Sequence, residues 1–309
     1  MKNSGYRYSD RASAFDEGVS VADFYARHYL HSSGEAWRRR ILAGQVLLNG
    51  RPAAPDDFLT RGDGLIYQRL PWEEPEAPRD FMTLFEDDDV LVLGKPSGLA
   101  VLPGGGFLEN TLLQLVRERF GARCSPVHRL GRGTSGAILF TRSAQAGRLL
   151  GAAMRERRIR KVYLALASGT SMADAFTIDA PIGPVPYRCP ATVHAYSPHG
   201  RPSISHVRVI RRCPGLAATL LEVTIPTGRS QQIRIHLSHA GFPLVGDPLY
   251  QAGGIPRALG AGDEISARPG DVGYFLHSWK IRFPHPAGGE DVEVVCPPPP
   301  VLDPGARPL

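Results

Sequence analysis

Apolar residues in the first part of the chain follow the spacing of helices and short strands. Residues 19–30 carry apolar side chains at helical intervals. The pair Ser32 and Glu35 forms a capping-box pattern that predicts the start of a second helix. The apolar run that follows turns back at Asn49-Gly50, a typical hairpin turn, and one more short strand comes after it. We therefore predict a small unit of helices and strands over residues 1–70.

Beyond this unit the pattern changes. Residues 71–80 hold three prolines and three glutamates, which predicts a linker. Residues 81–296 mix many strand-like apolar runs with a few helical segments, without regular alternation between the two. That pattern predicts an α+β domain around a mixed, largely antiparallel sheet with flanking helices. Residues 297–309 form a proline-rich tail that we expect to be loose.

Positive charge is concentrated in one segment of the chain. Residues 117–161 contain 12 lysines and arginines against two glutamates, a net charge of 12 − 2 = +10, whereas the whole chain carries +6. Base composition of a gene can favour arginine over lysine, but it does not explain clustering. A solvated surface is one interpretation of such a segment. A binding surface for a polyanion is the other, because each phosphate that is neutralised releases counterions.

Cysteines and apolar runs exclude several classes of protein. The four cysteines are scattered without a C-x-x-C pair, which fits neither a disulfide framework nor a zinc site. We therefore expect reduced thiols, no metal and a cytoplasmic protein. No apolar run approaches the roughly 18 residues of a membrane-spanning helix, and the first residues carry charge rather than a secretory signal. No membrane association and no protein partner is indicated.

Three glycines spell the dinucleotide-binding pattern G-x-G-x-x-G at Gly131, Gly133 and Gly136. The physical basis of that pattern is a turn that leads from a strand into a helix, so that the helix N-terminus holds the phosphates. Here the glycines are followed by AILFTRS, which has the character of a strand. A nucleotide-binding enzyme stays a third hypothesis, and the element after Gly136 decides it.

Five ordered segments resemble the motifs of the RluA-type RNA pseudouridine synthases. The resemblance runs from about residue 85 to 296. Its segments are KPSGLAVLPG (95–104), HRLGRGTSG (128–136), KVYLAL (161–166), TGRSQQIRIHLSHAGFPLVGDPLY (227–250) and LHS (276–278). In addition, GEAWRRRILAGQVLLNGRPA (34–53) resembles the S4-like RNA-binding domain, which often precedes the synthase domain in that family.

This resemblance implies an isomerase that converts uridine in structured RNA to pseudouridine, with no organic cofactor. Ribosomal or transfer RNA would be the partner. The base must leave its stack, at a cost of a few kcal/mol, and be held in the cleft. By the resemblance, Tyr163 stacks on the uracil and its hydroxyl helps to remove the C5 proton. Arg234, which we place on a strand, pairs with the catalytic carboxylate.

Other roles follow from the same resemblance. Arg129 enters the RNA stack where the base had been, and Ile233 and Leu276 form apolar walls. His128 and Thr134 complete the substrate-binding set. Contacts to RNA are expected from a further group of basic residues: Arg38, Arg39, Arg40, Arg51 and Lys161.

One departure from the family pattern bears directly on activity. The family's catalytic aspartate corresponds to Gly131, and Ser230-Gln231 stands where the family has Thr-His. Losing such a group costs on the order of 4–8 kcal/mol of barrier. In one hypothesis the chain remains a synthase and uses a relocated carboxylate, Glu109 or Asp247. In the other it is an RNA-binding pseudoenzyme. The retained motifs favour an enzyme.

Overall fold

The computed structural model describes residues 1–187, 192–257 and 267–305. The chain separates into two compact units, Met1–Glu74 and Pro75–Leu309. The division falls within the segment whose prolines and glutamates predicted a linker. Its first residues belong to the first unit, because the Asn3 amide donates to the Trp72 carbonyl at 3.1 Å.

The first unit combines two helices with a four-stranded antiparallel sheet in the order β1-β4-β2-β3. Strand β1 was not predicted, because most of its side chains are exposed and it shows no apolar alternation. The elements are β1 (Tyr6–Arg11), α1 (Val21–His28), α2 (Gly34–Leu42), β2 (Val46–Leu48), β3 (Arg51–Pro52) and β4 (Gly64–Arg69).

Helix α2 begins one residue later than the capping-box pattern predicted. Ser33, not Ser32, is its N-cap, and the Ser33 hydroxyl accepts from the Ala36 amide at 3.2 Å. The predicted hairpin turn is present, with positive φ angles of 50° at Asn49 and 84° at Gly50. Such angles are those of the favoured two-residue hairpin turn.

The second unit is built on one ten-stranded sheet, whose main path runs β10-β13-β14-β9-β15-β8-β6-β5. Its strands are β5 (Met82–Glu86), β6 (Val90–Lys95), β7 (Ser125–Pro126), β8 (Ser135–Thr141), β9 (Arg160–Ser168), β10 (Ala175–Asp179), β13 (Ile204–Cys213), β14 (Ala218–Thr224), β15 (Leu276–Pro284) and β16 (Asp291–Val295). A separate hairpin joins β11 (Ile182–Pro186) to β12 (Thr192–Tyr196). The helices are α3 (Leu112–Phe120), α4 (Ala144–Arg155) and α5 (Gln232–His239).

The α+β prediction is confirmed. Strands β8 and β15 pair in parallel, and the remaining strand pairs in the described ranges run antiparallel. Central strands are covered on both faces. In β6, for example, Leu91 and Leu93 join one buried cluster, while Val90 and Val92 join another. Because alternate side chains of a strand point to opposite faces, a strand covered twice is apolar throughout.

The glycine pattern at 131–136 leads into a strand, which removes the nucleotide-binding hypothesis. Strand β8 begins at Ser135, and Gly136 has a φ of +108°. A Cβ at Gly136 would overlap the carbonyl oxygen of Ser278 on the neighbouring strand. Glycine at this position therefore permits the close parallel pairing of β8 with β15.

The expectation of a loose tail is wrong for its first residues. Leu302 is only 1% exposed and packs in a cluster with Leu164 and Leu220 on the sheet. Three cysteines, Cys124, Cys213 and Cys296, are buried free thiols, and Cys189 lies outside the described residues. Within the described ranges, no helix has both the length and the apolar character needed to span a bilayer.

We predict that Gly136→Ala destabilises the second unit by on the order of 3 kcal/mol, because the added methyl meets backbone and the positive φ disfavours alanine. Gly147→Ala is the matched control. Gly147 lies inside α4 with its nearest neighbour atom at 3.6 Å, so alanine should stabilise by roughly 0.8–1 kcal/mol. Urea unfolding measures both. Equal free energies of unfolding for the two variants would contradict the role assigned to Gly136 in the pairing of β8 with β15.

Candidate active site

A cleft in the second unit brings together seven of the predicted site residues from four separate parts of the sequence. They come from the 128–136 segment, from β9, from α5 and from the start of β15. The residues are Arg129, Gly131, Thr134, Tyr163, Ile233, Arg234 and Leu276. Up to 147 positions, 276 − 129, separate them along the chain, so the fold rather than local sequence assembles the cleft.

Tyr163 projects into this cleft from β9 and is 6% exposed. Burial raises the pKa of Tyr163 to about 12, and the nearby Ser278 hydroxyl acts in the opposite direction. Ser278 lies directly across from Tyr163 in the β9–β15 pairing. The phenol is therefore neutral at neutral pH and presents a ring face against which a planar base can stack.

Arg234 lies on helix α5, which corrects the expectation of a strand. Its guanidinium makes a two-pronged ion pair with Asp247, with Nε to Oδ2 at 2.6 Å and Nη2 to Oδ1 at 2.8 Å. Both side chains are 1% exposed. Burial would lower the pKa of Arg234, but the hydrogen bonds to Asp247 raise it, so the guanidinium stays charged.

The remaining surface of the guanidinium is also occupied. Its Nη1 donates to the Gln231 side-chain oxygen at 3.0 Å and to the Pro269 carbonyl at 2.9 Å. Two aromatic rings cover it, Tyr274 at 4.1 Å and Tyr250 at 5.0 Å from ring centroid to Cζ. A buried charge with this many partners is fixed in place.

The carboxylate of Asp247 is held by hydrogen bonds to other groups of the protein. Its Oδ1 accepts from the backbone amides of Leu249 and Tyr250, at 2.9 and 3.0 Å, besides its bonds to Arg234. It is not among the cleft-lining residues, and neither is Glu109. Among the described residues, no carboxylate lines the cleft. The geometry does not favour either as the relocated carboxylate.

Gly131 faces the centre of the site. A Cβ built on it would lie 3.1 Å from the Tyr274 hydroxyl, 3.4 Å from the Thr134 hydroxyl and 3.7 Å from the Gln231 side-chain oxygen. The Gln231 oxygen accepts from Arg234, and the Tyr274 ring lies against the guanidinium. A side chain at residue 131 would therefore point toward groups that contact Arg234.

Two predicted residues of the second unit lie outside the cleft lining. His128 Nε2 accepts from the Leu139 amide at 3.2 Å, and burial lowers the pKa of His128 to about 3, so its ring is neutral. Lys161 is 8% exposed, and burial lowers its pKa. A side chain so buried does not favour the predicted RNA contact of Lys161.

Lys95, from the first of the five motifs, fixes the turn before β8. It is 1% exposed, and its Nζ donates to the carbonyls of Pro96, Leu99 and Arg132 at 2.8, 2.8 and 3.1 Å. Burial lowers the pKa of Lys95 to about 7. The lysine thus ties the motif loop to the glycine turn that forms one wall of the cleft.

The four arginines predicted to bind RNA all lie in the first unit, on or beside α2 and the hairpin. Arg38 pairs with Asp56 at 2.7 Å and Arg51 with Asp57 at 3.7 Å. Arg40 packs over the Trp37 ring at 4.5 Å. Arg39 is exposed. Arg38 and Arg51 share one surface through the adjacent aspartates, whereas Arg40 packs against the core.

Two residues around Arg234 escaped the sequence analysis. Gln231, which has a φ of 57°, was noted only as a departure from the family pattern, yet its side-chain oxygen accepts a hydrogen bond from the guanidinium. Tyr274 belongs to none of the five motifs. The described residues contain no cluster of three or more His, Cys, Asp or Glu placed to hold a metal.

A larger groove, of about 870 Å³, includes Tyr274 in its lining. It is lined mainly by apolar side chains, including Met82, Phe275 and Leu302. Neither Tyr163 nor Arg234 lines it. We therefore assign the chemistry to the smaller cleft, where the aromatic face and the positive charge meet.

Comparison with known proteins shows the family to which the chain belongs. The family model for RNA pseudouridylate synthases matches residues 89–239. An uncharacterized RNA pseudouridine synthase of Synechocystis is 41% identical over 283 residues, covering 91% of this chain and 95% of the relative. Ribosomal large subunit pseudouridine synthase D of Xanthomonas campestris is 37% identical over 268 residues, covering 84% and 79%. This chain belongs to the RluA-type RNA pseudouridine synthase family.

Other members of the RNA pseudouridine synthase family are similar over most of the chain. RNA pseudouridine synthase 5 of Arabidopsis thaliana is 37% identical over 348 residues, covering 97% of this chain and 94% of the relative. Among solved structures, human RNA pseudouridylate synthase domain containing 1 has a TM-score of 0.57 at 26% identity, covering 75% of this chain and 89% of that one. The similarity therefore extends from sequence to fold.

We predict that Asp247→Asn destabilises the second unit by about 3–5 kcal/mol, because it leaves the buried Arg234 guanidinium without its anion. Asp291→Asn is the matched control. Asp291 pairs with Arg282 at the surface, with side chains about half exposed, so its loss should cost less than about 1 kcal/mol. Chemical unfolding compares the two. A small effect at residue 247 would contradict the central role of this pair.

Proposed function

We propose that this protein isomerises uridine to pseudouridine in structured RNA. The observation that carries the proposal is the single cleft in which Tyr163, Arg234, Ile233 and Leu276 meet. A flipped pyrimidine needs an aromatic face, apolar walls and a fixed charge beside its ribose, and these four residues supply them.

The roles of the cleft residues follow from their positions. The neutral Tyr163 ring stacks on the uracil, between Ile233 and Leu276, which are 3% and 7% exposed. Arg129 is exposed at the rim of the cleft, and we propose that it fills the space that the base leaves. Stacking of a base on an aromatic ring contributes about 1–3 kcal/mol, which offsets part of the cost of flipping.

RNA is the partner that the charge distribution favours. Exposed arginines lie on α4, in the turn after it and at the start of β9, shortly before Tyr163 in sequence: Arg148, Arg155, Arg157, Arg158 and Arg160. We propose that they contact phosphates. We also propose that the first unit is an S4-like RNA-binding domain that uses Arg38, Arg39 and Arg51. Ribosomal RNA and transfer RNA are the candidate substrates.

A second function is favoured by one specific observation. Residue 131 is glycine, and no carboxylate lines the cleft within the described part of the chain. An RNA-binding pseudoenzyme would retain the cleft and bind flipped uridine without isomerising it. The two functions share RNA affinity and differ in chemistry, so one assay separates them.

We predict that the protein releases tritium from RNA labelled at C5 of uridine, prepared from a strain that lacks the gene. Tyr163→Leu should reduce the rate at least a hundredfold, because it removes both the stacking ring and the hydroxyl. Tyr163→Phe is the matched control, which keeps the ring and should keep RNA affinity within about twofold while the rate falls.

RNA affinity is measured on the same samples. Tight binding without tritium release, together with unchanged pseudouridine maps in the deletion strain, would contradict the isomerase and leave the pseudoenzyme. Release by the parent would exclude the pseudoenzyme.

We further predict that Arg51→Ala lowers the slope of log K against log salt by roughly 0.7–0.9, the contribution of one phosphate contact. Arg7→Ala is the control. Arg7 is also exposed but lies on β1, at the opposite edge of the sheet from β3. Equal slopes for the two variants in a filter-binding or fluorescence titration would contradict RNA binding by the hairpin edge.

A further inference from the structure

The hydroxyl of Tyr274 occupies the place to which a side chain at residue 131 would extend. It lies 3.1 Å from the position of a Cβ on Gly131. A carboxylate oxygen attached to that Cβ would lie roughly 2–3 Å from it, two bonds further along the side chain. The backbone of Gly131 lies outside the left-handed region, so geometry at that residue does not itself demand glycine.

Two glycines and the tyrosine fit one another as a set. A Cβ on Gly133 would lie 2.9 Å from ring carbons Cε1 and Cζ of Tyr274, closer than a real contact allows. Any larger residue at 133 would therefore displace the phenol. An aspartate at 131 would compete with the Tyr274 hydroxyl for the same space. Glycine at both positions makes room for the ring in this orientation.

The surroundings of the phenol oxygen suit an acid–base group. The hydroxyl is 3.3 Å from the Thr134 hydroxyl, and the ring lies 4.1 Å from Cζ of the Arg234 guanidinium. The same guanidinium is paired to Asp247 and lies against the ring of Tyr250.

We propose that Tyr274 replaces the aspartate of the family as the oxygen base of the isomerisation. This inference rests on the proposed function. Proton transfer needs only hydrogen-bond reach, whereas covalent attack needs an oxygen that projects into the cleft. Tyr274 is 4% exposed, and its hydroxyl lies beside Gly131 and Thr134, two residues that line the cleft. The geometry therefore points to a base rather than a nucleophile.

The proposed step is balanced. The ionised phenol takes the C2′ proton of the target ribose, a C1′=C2′ double bond forms, the C1′–N1 bond breaks, and its electron pair leaves with the uracil ring. After the ring turns, the phenol returns a proton to C2′ and C5 bonds to C1′, which restores the phenolate. C5 then loses its proton to solvent water, and N1 gains a proton from solvent water. No oxidant or cofactor takes part.

Substitution distinguishes a phenol base from a carboxylate base at this place in the cleft. Single-turnover tritium release from C5-labelled RNA measures the rate of isomerisation for each variant.

The experiment compares the full-length parent with two variants. We expect Tyr274→Phe to lower the parent rate at least a hundredfold with RNA affinity unchanged, because it removes the proposed base and keeps the ring. The double variant G131D/Y274F removes the competing hydroxyl and supplies a carboxylate, so it should regain activity.

Failure of this inference is distinct from failure of the proposed function. An active parent whose rate stays within threefold in Tyr274→Phe would overturn the role of Tyr274 and leave the isomerase standing. A parent that binds RNA but releases no tritium would overturn both. If G131D/Y274F were then active, Tyr274 would only block the space that an aspartate needs and would not act as a base.

Discussion

The buried ion pair between Arg234 and Asp247 is the constraint around which the site is built. Two buried charges are stable only when their hydrogen-bonding capacity is filled, and here it is filled by each other, by backbone amides, by Gln231 and by the Pro269 carbonyl. Meeting those demands fixes α5, the turn after Asp247 and the approach to β15 relative to one another.

Fixing the guanidinium has a chemical consequence. Because Asp247 neutralises the positive charge of Arg234, the arginine can remain in place without an aspartate in the cleft. The retained arginine and the missing carboxylate are therefore compatible, and the Tyr274 hydroxyl occupies the space beside residue 131. Tyr274 is held by the same cation, through ring stacking at 4.1 Å. One interaction thus supports both the fold and the proposed base.

Sequence predicted the architecture where burial leaves a local pattern. Strands such as β6 are apolar throughout, because both faces are covered. Helix α5 escaped, since polar residues including Gln232, Arg234 and His236 are buried in it and no amphipathic period remains. Five ordered motifs located most of the cleft. Tyr274 stayed hidden, because its role depends on a long-range contact with Gly131 and Gly133 that no spacing along the chain records.

A structure of the full chain bound to substrate RNA tests the central claim most directly. The account predicts the flipped uracil stacked on Tyr163 and the ribose C2′ at hydrogen-bond distance, roughly 3 Å, from the Tyr274 hydroxyl, with Arg234 still paired to Asp247. A flipped uridine whose ribose lies far from that hydroxyl, or one approached by a carboxylate from elsewhere in the chain, would contradict it.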